Sequence, residues 1–347
     1  MLGRRSERAR DKAKRVRERA KRLKAGMKVG SELGDPLDLA RYEAAWWPLV
    51  RKLRPDVVHV SDVSALSTAR RAGRLGARWI YEAREPKRHC GEEGQDLARR
   101  RQAAEYALHA DAVIATSAPL AELLASELDL PRVPALVHNT PSLRAGAHPQ
   151  TGLRETVGVA AGDPLLVYAG VLTRHRRLAV VLEAMTMLPE ARFALVVSSE
   201  DPLMSELLAR AEELAVFDRV HVVAKVAPES VVPFVAEADV GVIPFTRTPG
   251  QDMALPNKLF EYLHAGLPIV SSDATAMADF VRRHGLGEVA PLDDARAWAQ
   301  AIGRALQPPH YRDRASQWEA LKEEWCWERQ AERLVELYRE VLSAGSR

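Results

Sequence analysis

The order of apolar and polar positions predicts an alternation of strands and helices from Pro55 onward. Short runs rich in valine, isoleucine and leucine predict ten strands, at Val57–Val60, Trp79–Tyr81, Ala112–Thr116, Pro134–His138, Leu165–Ala169, Phe193–Val197, Val220–Val223, Val240–Pro244, Ile269–Ser271 and Glu288–Ala290. Amphipathic stretches between them predict helices, for example Val180–Leu188, Met204–Val216, Val231–Ala238 and Ala295–Leu306. Continuous apolar strands that alternate with helices are typical of parallel sheets covered on both faces. The predicted fold class is therefore α/β, with two such sheets.

Both ends of the chain are predicted to be helical. A helix is expected from about Leu37 to Leu53, and one or two helices from about Tyr311 to Leu342. Near the amino terminus, apolar side chains recur every three or four residues, which predicts a helical arm; they are Ala9, Ala13, Val16, Ala20, Leu23 and Met27. A proline- and glycine-containing stretch, Pro141–Gly162, separates the two sheets. We therefore predict an arm at 1–30, a first α/β domain at 36–145, a second α/β domain at 150–308 and closing helices at 311–345.

Composition and charge narrow the function classes. The chain has 347 residues, of which 47% are hydrophobic, so a fibrous or wholly disordered protein is excluded. No apolar run is long enough to span a membrane and no signal peptide opens the sequence, and only Cys90 and Cys326 are present. Because two cysteines cannot form a disulfide framework or a four-cysteine zinc site, we expect a reducing, cytoplasmic location.

The positive charge is concentrated at one end. Residues 1–28 carry 13 lysines and arginines against three acidic residues, so this arm has a charge of +10 and the rest of the chain −7. An acidic body argues against binding of nucleic acid. The arm suits the anionic surface of a membrane at the cytoplasmic face, and the alternative is a helix that is solvated or packed on its own domain.

The densest candidate site is the stretch Ala254–Asp273. Pro256 suits the first position of a helix, and such a helix start attracts anions. Lys258 in the first turn would add a positive charge for a diphosphate, and Glu261, one turn later, would accept both hydroxyls of a ribose. The alternative is a surface ion pair between Lys258 and Glu261.

Several stretches resemble the family 4 glycosyltransferases. Pro256–Val270 is similar to the donor-binding helix of that family. Further similar stretches occur in the same order; they are Pro55–Asp62, Trp79–Glu85, Ala110–Ser117, Tyr168–Met185 and Ala238–Pro244. The resemblance covers roughly residues 36–342, and it is most specific in the second half.

The resemblance implies the GT-B architecture, in which two Rossmann-like domains face a cleft and a carboxy-terminal helix crosses back. It makes 36–145 the acceptor-side Rossmann-like domain, incomplete at its start, and 150–308 the nucleotide-sugar-binding domain. It also implies transfer of a sugar from a nucleotide-diphosphate sugar with retention of configuration, onto a cell-surface glycan or lipid-linked acceptor, without a metal ion or other cofactor. The implied donor-binding residues are Gly170, Arg174, Arg176, Val226, Asp252, Leu255, Pro256, Asn257, Lys258 and Glu261. Glu261 would hold the ribose, Lys258 and Arg176 the diphosphate, the backbone of Asp252–Asn257 the sugar, and the backbone near Val226 the base.

Some positions depart from the family pattern. Val171 replaces a common arginine, for which Arg174 would have to substitute, and Met253 replaces an acidic residue for which the adjacent Asp252 would compensate. Arg84 stands where relatives have a histidine, and Arg84 and Glu85 are the candidate catalytic positions. An arginine cannot act as a base. Two alternatives therefore stay open: a degenerate transferase that acts as a non-catalytic donor-binding or partner subunit, and a GT-B nucleotide-sugar epimerase.

The start of the first domain is a further departure. No stretch before Pro55 has a strand pattern, whereas family members begin with a strand and a glycine-rich loop. We expect a partner chain or an upstream extension to supply these elements, and we expect the chain alone to transfer sugar slowly or not at all.

Overall fold

The computed structural model describes residues 36–61, 63–83, 105–144, 151–198, 201–307 and 315–344. Three predictions fall outside the described residues: the basic arm at 1–30, the candidate catalytic pair Arg84 and Glu85, and the domain boundary between 145 and 150. The helix expected from about Leu37 is confirmed as α1 (Pro36–Leu53).

All ten predicted strands are confirmed, with ends that differ by at most three residues. They are β1 (Val57–Val60), β2 (Arg78–Ala83), β3 (Ala112–Ala115), β4 (Ala135–Leu136), β5 (Leu165–Ala169), β6 (Arg192–Val197), β7 (Val220–Ala224), β8 (Val240–Ile243), β9 (Ile269–Ser272) and β10 (Gly287–Ala290). They form a four-stranded sheet in the order β1-β2-β3-β4 and a six-stranded sheet in the order β10-β9-β8-β5-β6-β7. The pairs run parallel, for example β1 with β2 and β5 with β6. The α/β fold class with two parallel sheets is therefore confirmed.

Helices connect the strands, as the amphipathic stretches predicted. After α1, the described residues form α2 (Leu66–Gly73), α3 (Ala118–Glu127), α4 (Leu153–Val157), α5 (Ala179–Met185), α6 (Met204–Glu213), α7 (Val231–Val235), α8 (Pro249–Met253), α9 (Asn257–Ala265), α10 (Thr275–His284), α11 (Ala295–Ala305), α12 (Ala315–Glu324) and α13 (Trp327–Ser343). Short 3-10 turns occur at Val63–Ala65, Phe217–Arg219 and Pro228–Ser230. No helix of the described ranges combines the length and the apolar character needed to cross a bilayer.

The chain divides into two compact units. The described residues of the first lie within Met1–Glu82 and Glu92–Asp111, and those of the second within Ala83–Gly91 and Ala112–Arg347. Strands β3 and β4 pair within the four-stranded sheet but fall in the second unit, which also contains the six-stranded sheet. The sequence placed them in the first domain. The domain limits drawn from the sequence stay a prediction.

The main hydrophobic core surrounds the six-stranded sheet. Every residue of β5, β8 and β9 is buried, because these strands lie inside the sheet with helices on both faces. Trp298, Tyr168 and Tyr262 are among its largest fully buried side chains. This packing fixes the carboxyl ends of β5 and β8, next to which the candidate site lies.

The two carboxy-terminal helices pack on the second unit. The Trp318 indole N–H of α12 donates to the carbonyl oxygen of Leu263 in α9 at 2.7 Å. At the start of α13, the Trp327 N–H donates to the carbonyl oxygen of Pro141 at 2.7 Å, and Gln330 Oε1 accepts from the His138 N–H at 3.0 Å. The last helix therefore contacts the segment that follows β4, in line with the predicted closing helix.

Candidate functional site

The candidate site is centred on the start of α9. The helix begins at Asn257. Pro256 lies immediately before it in an extended conformation, whereas the sequence predicted this proline to be the first residue of the helix. No side chain caps this helix start. The Leu259 N–H donates to the Pro256 carbonyl oxygen at 2.9 Å, so the N–H groups of Asn257 and Lys258 are those available to an anion at this helix start.

Helix α9 is held against the sheet by Tyr262. Its hydroxyl accepts a hydrogen bond from the Ala169 N–H at 3.0 Å and donates to the Val167 carbonyl oxygen at 3.3 Å. The ring lies over Gly241 of β8, where a Cβ atom would come within 2.3 Å of it. The glycine in β8 therefore allows α9 to approach the carboxyl end of β5.

Lys258 extends from α9 to the end of β5. The side chain is 8% exposed, and its Nζ lies 3.4 Å from the Tyr168 hydroxyl and 4.4 Å from the centre of the Tyr168 ring. Gly170 follows β5 with a φ of +144°, and a Cβ atom there would lie 2.9 Å from Nζ. Gly170 thus combines a backbone conformation that favours glycine with room for the ammonium group.

Arg176 brings a second positive charge to the same place. Its guanidinium carbon lies 3.4 Å from the centre of the Phe245 ring, and Lys258 Nζ lies 5.1 Å from that ring. Arg176 Nη1 donates to Gln251 Oε1 at 3.2 Å. The structure therefore brings Lys258 to Gly170 and Arg176, although it lies far from both in the sequence.

The charges of this cluster perturb one another. Burial, together with the positive charge of Arg176 and against the opposing effect of Glu261, lowers the pKa of Lys258 to about 7. Burial also raises the pKa of Glu261, against the effect of Lys258. Strongly shifted pKa values of neighbouring groups are frequent at binding and catalytic sites. An anion bound here would restore the positive charge of Lys258.

The segment before α9 is anchored on one side by Asp252. Its Oδ1 accepts from Arg247 Nε at 3.1 Å and from the Thr275 N–H, at the start of α10, at 3.0 Å. The carboxylate of Asp252 is therefore occupied in holding α8 against α10. We call the residues Asp252–Asn257 the donor loop.

The remaining predicted donor-binding residues occupy different surroundings. Arg174 has a side chain that is 75% exposed, and it pairs with Glu206 at 3.1 Å rather than joining Arg176. Val226 follows β7, and both Val226 and Leu255 are partly buried against the main core. For Arg174, Val226 and Leu255 the structure therefore shows a location but no side-chain contact that supports ligand binding.

Two residues that sequence reasoning gave no binding role contact the donor loop. Ser117 Oγ donates to the Met253 carbonyl oxygen at 2.6 Å, and Asn139 Nδ2 donates to Asn257 Oδ1 at 2.9 Å. The partners are 136 and 118 positions apart in the chain. No local pattern indicates such contacts, because they depend on the packing of β3 and β4 within the second unit.

No candidate metal site occurs in the described ranges. Nowhere in them do three or more histidine, cysteine, aspartate or glutamate side chains converge in a way that could hold a metal ion. The positive charge of this site comes from Lys258, Arg176 and the start of α9.

Comparisons with known proteins agree with this geometry. The family model described as "Glycosyl transferases group 1" matches residues 163–308, which contain the whole candidate site, and the model "Glycosyl transferase 4-like domain" matches residues 1–140. A D-inositol 3-phosphate glycosyltransferase of Xylanimonas cellulosilytica is 26% identical over 203 residues, or 57% of this chain. The aligned region spans about half of that relative, 48% of its length.

Solved structures share the fold at lower identity. A sucrose-phosphate synthase from Thermosynechococcus elongatus superposes with a TM-score of 0.72 at 22% identity, over 88% of this chain and 78% of that one. HepE of Anabaena, in complex with UDP, superposes with a TM-score of 0.71 at 16% identity, over 88% and 85% of the two chains. Together with the two family models, which match most of the sequence, these likenesses show that the chain belongs to the family 4 glycosyltransferases and has their GT-B fold.

Proposed function

We propose that the protein transfers a sugar from a nucleoside diphosphate sugar to a glycan or lipid-linked acceptor, with retention of configuration. The single observation that carries this proposal is the convergence of Lys258, Arg176 and the uncapped start of α9 beside Gly170. Two cations and free N–H groups in one partly buried place suit a diphosphate better than any uncharged ligand.

Each part of the donor has a proposed partner in the second unit. The diphosphate lies between Lys258 and Arg176, and the ribose hydroxyls donate to the Glu261 carboxylate. The sugar faces the backbone of the donor loop, with Leu255, Pro256 and Asn257 nearest to it. The base lies near Val226. Arg174 is a weaker candidate for phosphate binding, because its contact with Glu206 on the surface must first break.

The relatives support a nucleotide-sugar donor. Anabaena HepE has been solved with UDP, with UDP and glucose, and with UDP-glucose. UDP-glucose is accordingly the first donor to test, followed by the GDP and ADP sugars.

The proposed chemistry needs no metal ion or other cofactor. Bond breaking leaves negative charge on the departing nucleoside diphosphate, and preorganised cations stabilise that charge in the transition state. Lys258 and Arg176 are placed to do so, provided that Lys258 is protonated in the complex. Arg84 and Glu85 stay candidate catalytic positions on the strength of the family resemblance alone.

Turnover assays separate this proposal from its alternatives. The full chain is incubated with UDP-glucose, GDP-mannose or ADP-glucose, with and without lipid-linked and glycan acceptors, and the release of nucleoside diphosphate is measured. Release that depends on an acceptor supports a transferase, and analysis of the anomer formed tests retention. Conversion of the donor without acceptor would instead indicate an epimerase, and binding without turnover a donor-binding subunit. Activity that appears only when a second chain is added would support the expected complementation of the first domain.

The basic arm supports a proposed location of the acceptor. With a charge of +10 in residues 1–28, the arm is suited to the anionic lipids of the cytoplasmic membrane face. Sedimentation with vesicles of phosphatidylglycerol and phosphatidylcholine at low and high salt tests this. Equal pelleting of the full chain and of a variant without residues 1–28 would contradict it.

A further inference from the structure

We propose that Ser117 and Asn139 are positioning residues that hold the donor loop from both ends, so that they set the affinity for the sugar part of the donor. This inference rests on the proposed function of the site. It adds residues outside the helix α9 region to the binding apparatus, and it assigns them to the sugar rather than to the nucleotide.

Ser117 occupies a fixed position between two elements. It precedes α3, and its hydroxyl accepts from the Leu120 N–H at 3.3 Å, as a helix-capping serine does. The same hydroxyl donates to the Met253 carbonyl oxygen at 2.6 Å, and Ser117 is 1% exposed. Because one oxygen makes both bonds in a buried place, its position relative to α3 is transmitted directly to the backbone at Met253.

Asn139 contacts the other end of the same loop. It lies three residues after β4, and its Nδ2 donates to Asn257 Oδ1 at 2.9 Å, at the first residue of α9. The bond joins two exposed side chains, so it contributes less to folding than the buried bond of Ser117.

Between these two contacts lie Ala254, Leu255 and Pro256, in the short connection from α8 to α9. Upstream of them, Gln251 accepts from Arg176 and Asp252 is bound to Arg247 and Thr275. Gln251 and Asp252 are therefore held by residues that follow β5, β8 and β9, whereas Met253 and Asn257, on either side of the sugar-facing residues, are held by Ser117 and Asn139. Loss of either contact should loosen the sugar-facing residues and leave the cation pair in place.

The test compares binding of UDP with binding of UDP-glucose to the full chain by calorimetry. If a screen of wild-type protein favours another base, that nucleoside diphosphate and its glucose ester are used instead. We expect Ser117→Ala to weaken UDP-glucose binding about fivefold, the effect of one net hydrogen bond, and to leave UDP binding within about twofold. Ser117→Thr keeps a hydroxyl and should restore the wild-type ratio of the two affinities.

Matched variants exclude a general loss of stability. Ser126→Ala removes an exposed hydroxyl from the same helix α3 and should change neither affinity. Among the described residues, this hydroxyl bonds only to the Leu123 carbonyl oxygen. Asn139→Ala alters an exposed pair and should also lower the UDP-glucose affinity selectively, by about threefold. It keeps the test valid if Ser117→Ala fails to fold.

The outcomes separate this inference from the function on which it rests. No binding of any nucleoside diphosphate by the wild-type chain would overturn the proposed function together with this inference. Binding that falls equally for UDP and UDP-glucose in Ser117→Ala and Asn139→Ala, or does not fall at all, would overturn this inference alone.

Discussion

The same local arrangement occurs at the start of one strand in each sheet. Asp111 precedes β3 and Asp239 precedes β8, and each follows an alanine. Asp111 donates its N–H to the Trp79 carbonyl oxygen at 2.9 Å and accepts from the Trp79 N–H at 2.9 Å. Asp239 does the same with Leu165, at 2.8 Å in both directions. In each sheet an aspartate thus fixes the register of the neighbouring strand.

The two aspartates differ in the hydrogen bonds that the neighbouring arginine makes. Asp111 is paired with Arg78 at 2.6 Å. Asp239 is paired with Arg154 at 2.6 Å, and the same arginine also donates to the carbonyl oxygens of Glu237, Ala160 and Asp163. One sequence pattern thus occurs in two sheets, while the number of hydrogen bonds that support each aspartate depends on residues outside the pattern.

A second difference lies two positions after each aspartate. The first sheet has Val113 there, and the second has Gly241, above which the Tyr262 ring packs. Substituting Gly241→Val introduces the residue of the first sheet. We expect it to lower the free energy of unfolding by about 3 kcal/mol or more, because its side chain would overlap a buried ring that also fixes α9.

Chemical denaturation followed by circular dichroism measures this loss. Gly303→Ala in α11 is the control, because no heavy atom lies within 4 Å of the added Cβ. It should raise the free energy of unfolding by up to about 1 kcal/mol, since alanine favours a helix more than glycine does. A Gly241→Val protein as stable as wild type would contradict the packing of α9 on β8.

Substituting alanine for Arg154 and for Arg78 tests whether the two arginines contribute differently to stability. Arg154→Ala should cost about 3 kcal/mol of stability, because it leaves Asp239 and three carbonyl oxygens without a partner from this side chain. Arg78→Ala should cost about 1 kcal/mol, since Arg78 is known to bond only to Asp111 within the described residues. Equal losses in denaturation experiments would show that the surroundings of the two aspartates do not differ in energy.

The carboxyl edge of the second sheet is expected to bind the donor through Glu261. Glu261→Ala should weaken binding of UDP by about 1.5–3 kcal/mol, the range for hydrogen bonds to a charged group. Calorimetry measures the change. Glu288→Ala on β10 removes a carboxylate of the same sheet that pairs with Arg304, and it should leave the affinity unchanged. Loss of affinity in both variants would point to an indirect effect of sheet stability.

The affinity for UDP-glucose should also depend on pH through Lys258. The pKa of Lys258 in the free protein is about 7, and a bound diphosphate raises it, so binding takes up a proton above that pH. Affinity should therefore be nearly constant below pH 7 and fall by up to about tenfold, or 1.4 kcal/mol, per unit as the pH rises above it. UDP-glucose is suited to this test because its diphosphate does not titrate in this range.

Lys258→Gln provides the control for the pH profile. It should bind UDP-glucose more weakly at pH 6.5 and lose the decline above pH 7. A decline that persists in Lys258→Gln would assign the titration to another group.

The amino-acid sequence alone determined the fold class, the ten strands and the helix that carries Lys258 and Glu261. This was possible because buried parallel strands are continuously apolar, and because the two charged residues lie within one helical turn. Lys258 and Glu261 are separated by three residues, so their proximity follows from helix geometry.

Only the tertiary structure decided which distant residues meet at that helix. It placed Arg176 on Phe245 beside Lys258, directed Arg174 to Glu206, and brought Ser117 and Asn139 to the donor loop. It also showed that Gly241 makes room for Tyr262. The hydrogen bonds among these contacts join positions 32 to 136 residues apart. They depend on strand order and on packing across layers, which periodicity along the chain does not encode.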